Sequence, residues 1–111
     1  MSGVRFLDPG LLDRRAVLEE NAAVLDEMGG AVPDWREVAE MSVHLEPIDM
    51  RVWERFGQRD GRLTHRVTLR HRSDVARGMA FRVGLRRLLI RSVIDPDERR
   101  RYLVCRCEEE A

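Results

Sequence analysis

The feature that most constrains this chain is a strict alternation of side-chain character from residue 63 to residue 72. One set, spaced two residues apart, is Leu63, His65, Val67, Leu69 and His71. The intervening set is polar throughout: Thr64, Arg66, Thr68, Arg70 and Arg72. Successive side chains of a β-strand point to opposite faces, so this period predicts a strand with its apolar face against a core.

Shorter patterns of the same kind recur along the chain. WREVAEMSVHLEP, residues 35–47, shows near-alternation that ends at a proline, which predicts a strand pair or one bent strand. MAFRVG and RRLLIRSVI predict two more strands, and the turn sequence DPDER follows them. RRYLVCRC predicts a last strand with Leu103, Cys105 and Cys107 inward. The fold class predicted is mainly β: a small β-barrel of about six to seven short strands with one short helix and long loops.

The segment from residue 11 to residue 30 supports two interpretations. Its alanine, leucine and glutamate content favours a helix, and its apolar spacing suits a helical period moderately well. The rival interpretation is a strand over about Arg14 to Glu20, then a loop ending at Gly29 and Gly30. A second strand would then begin through AVPDW. Composition and spacing leave both open.

The segment after Pro47 predicts a short helix or an ordered loop over residues 48–61. Its apolar residues have helical spacing, Asp49 is a candidate N-cap, and Gly57 or Gly61 would end the helix. The length of 111 residues predicts one domain over residues 1–111. Its expected appendages are an N-terminal arm, residues 1–11, and an acidic tail, residues 108–111, expected to fray.

The charged residues are numerous and balanced. All 20 basic residues are arginine, 20 acidic residues oppose them, and charged residues make up 36% of the chain. Such a surface is either solvated or in contact with charged partners. Arg66, Arg70 and Arg72, widened by Arg86 and Arg87 on a neighbouring strand, would form a phosphate-tracking groove. The missing aromatic platforms and the balancing acids argue against it, so a small arginine-rich nucleic-acid-binding β-barrel is the alternative function.

The motifs of common enzymes are missing from the sequence. No serine lies in a sharp glycine-flanked turn, and no glycine-rich phosphate loop is present. The three histidines lack metal-ligand spacing, and a half-buried, hydrogen-bonded histidine at a strand edge is the expected environment. Cys105 and Cys107 are expected to be buried small apolar residues. We therefore expect no catalysis, no metal and no cofactor, and no membrane partner, since no apolar run approaches about 18 residues.

The ordered set of these segments resembles the phage head closure, or head-tail joining, family, also called connector stopper proteins. The likeness rests on DRRAVLEE, the W-x-x-V-A segment at residue 35, and EP at residues 46–47. It continues through THRVTLRHR, MAFRVG and RRLLIRSVIDPDERRRYLVCRC, and covers about residues 12–109. Two places depart from the family pattern: LRRLL stands where GR-x-Y is common, and EPIDMRVWE lacks the usual glycine after its proline. The likeness favours strand, loop and strand at the N-terminal segment.

The resemblance implies a structural protein of siphophages or gene transfer agents, and not an enzyme. Such proteins form a ring of six or twelve copies below the portal-bound adaptor and above the tail terminator or tail tube protein. Double-stranded DNA passes through the ring, which in some members closes the channel. The implied location is the head-tail interface of a virion or virus-like particle assembled in the bacterial cytoplasm.

Two sets of contact residues follow from the resemblance. The set expected to contact the channel or a partner lies after Pro47: Arg51, Trp53, Glu54, Arg55, Phe56, Gln58, Arg59 and Asp60. The set expected to face a neighbouring subunit or partner is Arg66, Arg70, Arg72, Arg86 and Arg87.

Overall fold

The computed structural model describes residues 9–25, 27–48 and 63–110. A 3-10 turn at Pro9–Leu11 precedes eight strands. The strands are β1 Arg14–Asn21, β2 Val24–Leu25, β3 Ala31–Val32, β4 Trp35–Pro47, β5 His65–Arg70, β6 Ala80–Val83, β7 Arg86–Ile94 and β8 Tyr102–Glu109. Six of them close an antiparallel barrel in the order β1-β4-β5-β8-β7-β6, and β2 and β3 form a separate two-stranded sheet. The predicted mainly-β barrel is confirmed.

The barrel interior is filled by one face of each strand. Leu18, Phe81, Leu88 and Ile90 have no exposed surface, and neither do Val67 and Leu69 on β5. This confirms the inward direction predicted for Val67 and Leu69. β5 spans six residues and not ten, so Leu63 and His71 lie outside the strand, and Thr68 of the opposite face is also buried. Full burial of such side chains contributes about 1.5–3 kcal/mol each, so the barrel is stabilised mainly by its lining.

The near-alternation of residues 35–47 is explained by a single strand that carries a bulge. Along β4, Ala39 lies opposite Leu18, whereas Glu37 lies opposite Glu19, so Val38 is an extra residue. A bulge of this kind shifts the side-chain alternation by one and bends the strand. Of the two predicted alternatives, a strand pair or one bent strand, the structure has the second, and the strand ends at Pro47 as predicted.

The ambiguous N-terminal segment is a strand. β1 covers Arg14–Asn21 and is paired with β4 along its whole length, so the helical interpretation of this segment was wrong. Helix propensity is a weak preference, and the backbone hydrogen bonds and buried contacts that β1 gains in a closed barrel outweigh it. The loop and second strand expected after β1 are present as the β2–β3 hairpin and β4.

The directions of the strands determine which connections lie at which end of the barrel. The β6–β7 turn, the start of β1 and the end of β8 lie at one end, called end A. The β1–β4 connection, the 71–79 loop and the 95–101 turn lie at the other, called end B. At end A the β6–β7 turn contains Gly84 with φ +62°, followed by Leu85. A positive φ at the first central residue of a two-residue hairpin loop is the pattern of a type II′ turn, which favours glycine.

The acidic C-terminus is more ordered than predicted. Glu108 and Glu109 belong to β8, so the expectation that the tail frays from residue 108 was wrong for these two residues. Their carboxylates bind arginines of β7, with Glu108 Oε1 2.6 Å from Arg91 Nη2 and Glu109 Oε2 2.9 Å from Arg86 Nε. These pairs add side-chain contacts to the backbone pairing of β7 and β8. The short helix or ordered loop predicted over residues 48–61 falls largely outside the described residues.

Candidate interaction surfaces

The eight residues predicted to contact the channel or a partner, from Arg51 to Asp60, lie outside the described residues. The chain leaves the barrel for this segment at end A, after β4, and returns there before β5. Ile48 N donates a hydrogen bond to Thr64 O over 2.9 Å, which holds the two flanks of the segment together. Their contact role stays a prediction.

The five arginines of the predicted inter-subunit face do not form one surface. Arg66 and Arg70 point outward on β5, but β8 lies between β5 and β7, so Arg86 and Arg87 are not on a neighbouring strand as expected. Arg72 lies beyond the end of β5 and makes paired hydrogen bonds to Asp74 at 2.9 and 2.8 Å. The order of the strands separates Arg66 and Arg70 on β5 from Arg86 and Arg87 on β7, and this order is not given by the sequence.

Most of these arginines are already engaged within the chain. Arg66 Nη1 lies 3.6 Å from Glu46 Oε1. Arg86 and Arg87 bind glutamates described below, which leaves their guanidinium groups partly satisfied. In the part of the chain that the structure describes, only Arg70 of the five forms no side-chain hydrogen bond or ion pair. The interface role of the set stays a prediction.

A nearly buried glutamate lies where the barrel closes. The β1–β6 pairing that completes the barrel has three residue pairs, and Glu19 of β1 belongs to one of them. Glu19 points outward yet is only 2% exposed. Its Oε1 accepts a hydrogen bond from Arg87 Nε at 3.0 Å, and its Oε2 lies 3.5 Å from Arg82 Nη1. The carboxylate thus connects β1 to β6 and β7 across the shortest seam.

The two arginines on Glu19 have further partners of their own. Arg82 Nη2 lies 2.7 Å from Glu37 Oε1, and Arg87 Nη1 lies 3.3 Å from Glu110 Oε1. The Arg87 guanidinium also stacks 5.1 Å from the centroid of the Trp35 ring, within cation–π range. Glu19 accordingly pairs with Arg82 and Arg87, and each of these arginines also binds a more exposed carboxylate. The contacts around Glu19 therefore link β1, β6 and β7 within one chain.

A second network lies at end A. Arg86 Nη2 is 3.1 Å from His65 Nε2, so the neutral imidazole accepts at Nε2 and carries its proton on Nδ1. Nδ1 is 2.8 Å from Thr64 Oγ1, which also accepts from Glu109 N at 2.8 Å. Burial, and then the Arg86 charge, lower the pKa of His65, while Glu109 opposes them. The expectation of a partly buried, hydrogen-bonded histidine at a strand edge is confirmed for His65.

The two cysteines are core residues, as the sequence predicted. Both are free thiols with no exposed surface, in the strand that pairs with β5 and β7. Burial raises the pKa of Cys105 to about 12 and raises that of Cys107 as well. Thiolate is the reactive form, so both are unreactive in the folded barrel.

One group of arginines was not singled out from the sequence. Arg77, Arg99 and Arg100 are exposed in loops at end B, where Arg70 ends β5. Neither their spacing nor the residues around them in sequence distinguish them from the other arginines in a chain with 20. What distinguishes them is the absence, among the described residues, of any side-chain ion pair or hydrogen bond, and this appears only once the other arginines have found partners.

These observations define a class: a small closed antiparallel β-barrel whose outer charges are mostly paired with one another. In the described ranges no group of three metal-ligating side chains comes together, and no helix has the length and apolar character to cross a membrane.

The comparisons with known proteins are consistent with this class and name the family. A family model described as phage head completion protein matches residues 7–110, so the chain belongs to the phage head completion protein family. The chain is therefore a structural protein of a phage-like particle. No curated protein matches it.

Two solved structures share the fold. The solution structure of protein SF1141 from Shigella flexneri 2a has a TM-score of 0.71 and 21% identity, over 95% of this chain and 98% of that one. A chain from the virion of a native gene transfer agent particle has a TM-score of 0.60 and 24% identity, over 88% and 94%.

Proposed function

We propose that the chain is a head-tail connector of the head closure, or stopper, type. Copies would form a ring of six or twelve between the portal-bound adaptor and the tail terminator or tail tube protein. The packaged double-stranded DNA would pass through this ring. The particle, a phage, a prophage product or a gene transfer agent, would be assembled in the bacterial cytoplasm.

The observation that supports this most strongly is the family match over residues 7–110, which covers the whole barrel. The likeness in fold to a chain of a gene transfer agent virion agrees with it. A connector of this type would have to contact different partners at its two ends. A rigid barrel with loops at both ends is suited to that role, because loops carry contacts while the scaffold fixes their positions.

The contact surfaces of the ring are part of the proposal. Arg51, Trp53, Glu54, Arg55, Phe56, Gln58, Arg59 and Asp60 are proposed to contact the channel or a partner. Arg66 and Arg70 are proposed for the inter-subunit or partner face, since both point outward on β5. Arg72, Arg86 and Arg87 would exchange or share their present carboxylate partners on assembly. A ring of identical copies requires two different patches that meet head to tail, and mixed charges supply such complementarity.

The test is deletion of the gene from the genome that encodes the particle. We expect DNA-filled heads and separate tails that do not join, as seen by electron microscopy, and tailed particles again when the gene is supplied in trans. Normally tailed, infectious or DNA-transferring particles from the deletion strain would contradict the proposal.

A further inference from the structure

Two loops at end B form a connected cationic surface. The 71–79 loop covers this end of the core with Val75, which is 8% exposed. It is joined to the 95–101 turn because His71 N donates to Arg101 O over 3.0 Å. Arg70, Arg77, Arg99 and Arg100 project from this surface. They are exposed and have no side-chain hydrogen bond or ion pair in the described ranges, although the charge of Arg99 acts on Asp97. We call these four residues the end-B arginines.

The acidic residues among them are mostly occupied. Asp74 holds Arg72, and Asp97 binds Arg101 and the backbone of Arg99. Asp95 Oδ2 accepts from Arg100 N over 2.9 Å, whereas Asp95 Oδ1 is buried and has no hydrogen-bond partner among the described residues. Glu98 is the exposed acid that remains within the turn, and Glu20 and Glu27 lie at the same end in β1 and the hairpin connection. The surface of the two loops is therefore net cationic at the side chains that have no partner.

The turn that presents two of the end-B arginines is held in a strained conformation. Glu98 and Arg100 have φ of 56° and 57°, in the left-handed region that side chains other than glycine seldom adopt. Hydrogen bonds from Arg100 N to Asp95 and from Arg99 N to Asp97 fix this backbone. Strain that surrounding bonds maintain is typical of segments that position side chains for contact.

The chemistry of this surface fits phosphates better than a protein partner. Protein interfaces depend on buried apolar or aromatic anchors. None of the large exposed apolar residues of the described chain lies within the two loops; Ile94 directly precedes the 95–101 turn, and Met28 and Val32 lie in the β1–β4 connection at the same end. Arginine binds phosphate oxygens with paired hydrogen bonds, and it does so without reading base sequence.

We propose that the end-B arginines contact the phosphate backbone of double-stranded DNA without sequence preference. This rests on the proposed function, since a ring at the head exit would bring many weak contacts to one duplex. It places end B, and not only the segment after Pro47, beside the DNA. Arg70 also belongs to the groove predicted on β5 and β7. The other arginines of that groove differ, because Arg66, Arg72, Arg86 and Arg87 bind carboxylates within the chain.

The experiment is a titration of the isolated chain, labelled with nitrogen-15, with a mixed-sequence 20-base-pair duplex (length about two helical turns) followed by NMR. We expect shifts confined to the 71–79 loop, the 95–101 turn and Arg70. Four phosphate contacts predict a salt slope near −3.6, so the affinity should fall about 150-fold between about 50 and 200 mM salt. Shifts elsewhere, or none at millimolar duplex in low salt, would overturn the proposal.

Matched variants separate a local site from general charge. Arg70→Ala should weaken binding several-fold. Arg14→Ala should leave it unchanged, because it removes an exposed arginine at end A that likewise has no side-chain partner among the described residues. Equal losses of affinity in the two variants would show that the duplex is attracted by the overall charge of the chain, and would overturn the proposed site. A polyglutamate peptide tests the other reading, and shifts in the same loops at equal affinity would indicate a protein partner instead. None of these results depends on ring formation, so their failure leaves the gene-deletion test of the proposed function untouched.

Discussion

The seam at which the barrel closes offers the sharpest test of how charge stabilises this fold. Replacing Glu19 by glutamine keeps the shape of the side chain and removes its charge. Glu19 is 2% exposed and lies between Arg82 and Arg87, which are 36% and 27% exposed at their side chains. Removing one partner of a fully buried ion pair costs about 3–5 kcal/mol. Here both arginines keep water and a second carboxylate, so we expect about 2 kcal/mol for Glu19→Gln.

Glu37→Gln is the matched control. It is the same substitution on the same partner, because Glu37 Oε1 lies 2.7 Å from Arg82 Nη2, but its side chain is 65% exposed. Exposed pairs contribute about 0–1 kcal/mol, so the control should lose less than about 1 kcal/mol. Urea unfolding, followed by tryptophan fluorescence, measures both, and the Glu19 variant should unfold at about 1 M less urea. Equal losses in the two variants would refute the reasoning that burial at the seam sets the cost.

Three further outcomes follow from the network at end A, the core thiols and the β6–β7 turn. Because the folded pKa of His65 lies below 6.5, its contribution to stability is complete above that pH and is lost as pH falls through the folded pKa. His65→Gln should therefore flatten the loss of urea stability between about pH 7 and 5, and an unchanged slope would contradict this assignment. Cys105 and Cys107 should react with a thiol reagent only as fast as the barrel opens, and promptly once urea unfolds the chain. Prompt labelling of the native protein would contradict this, because it would show that the thiols are accessible. Gly84→Ala should destabilise by about 1 kcal/mol and Gly84→Asn by less, as measured by urea unfolding, because the strain comes from φ +62° and not from a clash.

Much of the barrel could be predicted because its strands have one solvent-facing side and one side buried in the core. The alternation around Val67 and the inward Leu103, Cys105 and Cys107 needed only a period of two. The same logic was blurred in β4, where the bulge at Val38 shifts the alternation by one residue. The alternation could not decide between helix and strand for β1. There, local helix propensity competes with pairing to β4, which begins 14 residues after β1 ends.

The surface could not be predicted in the same way, because pairing of charges depends on strands distant in sequence. Glu19 would pass for a solvated strand residue, yet Arg82 and Arg87 cover it from 63 and 68 residues away. The same registers bring Arg86 and Arg87 to glutamates of the chain and place β8 between them and Arg66 and Arg70. They also leave the end-B arginines without a side-chain hydrogen bond or ion pair to any residue that the structure describes. The number of arginines was therefore uninformative, whereas their partners in the fold distinguish them.

The most direct test of the central claim is a cryo-electron microscopy reconstruction of the particle that carries this chain. The account predicts a ring of six or twelve copies of this barrel at the junction of head and tail, with its axis on the DNA path. Density at that junction that this barrel does not fit, or the barrel found only elsewhere in the particle, would contradict it.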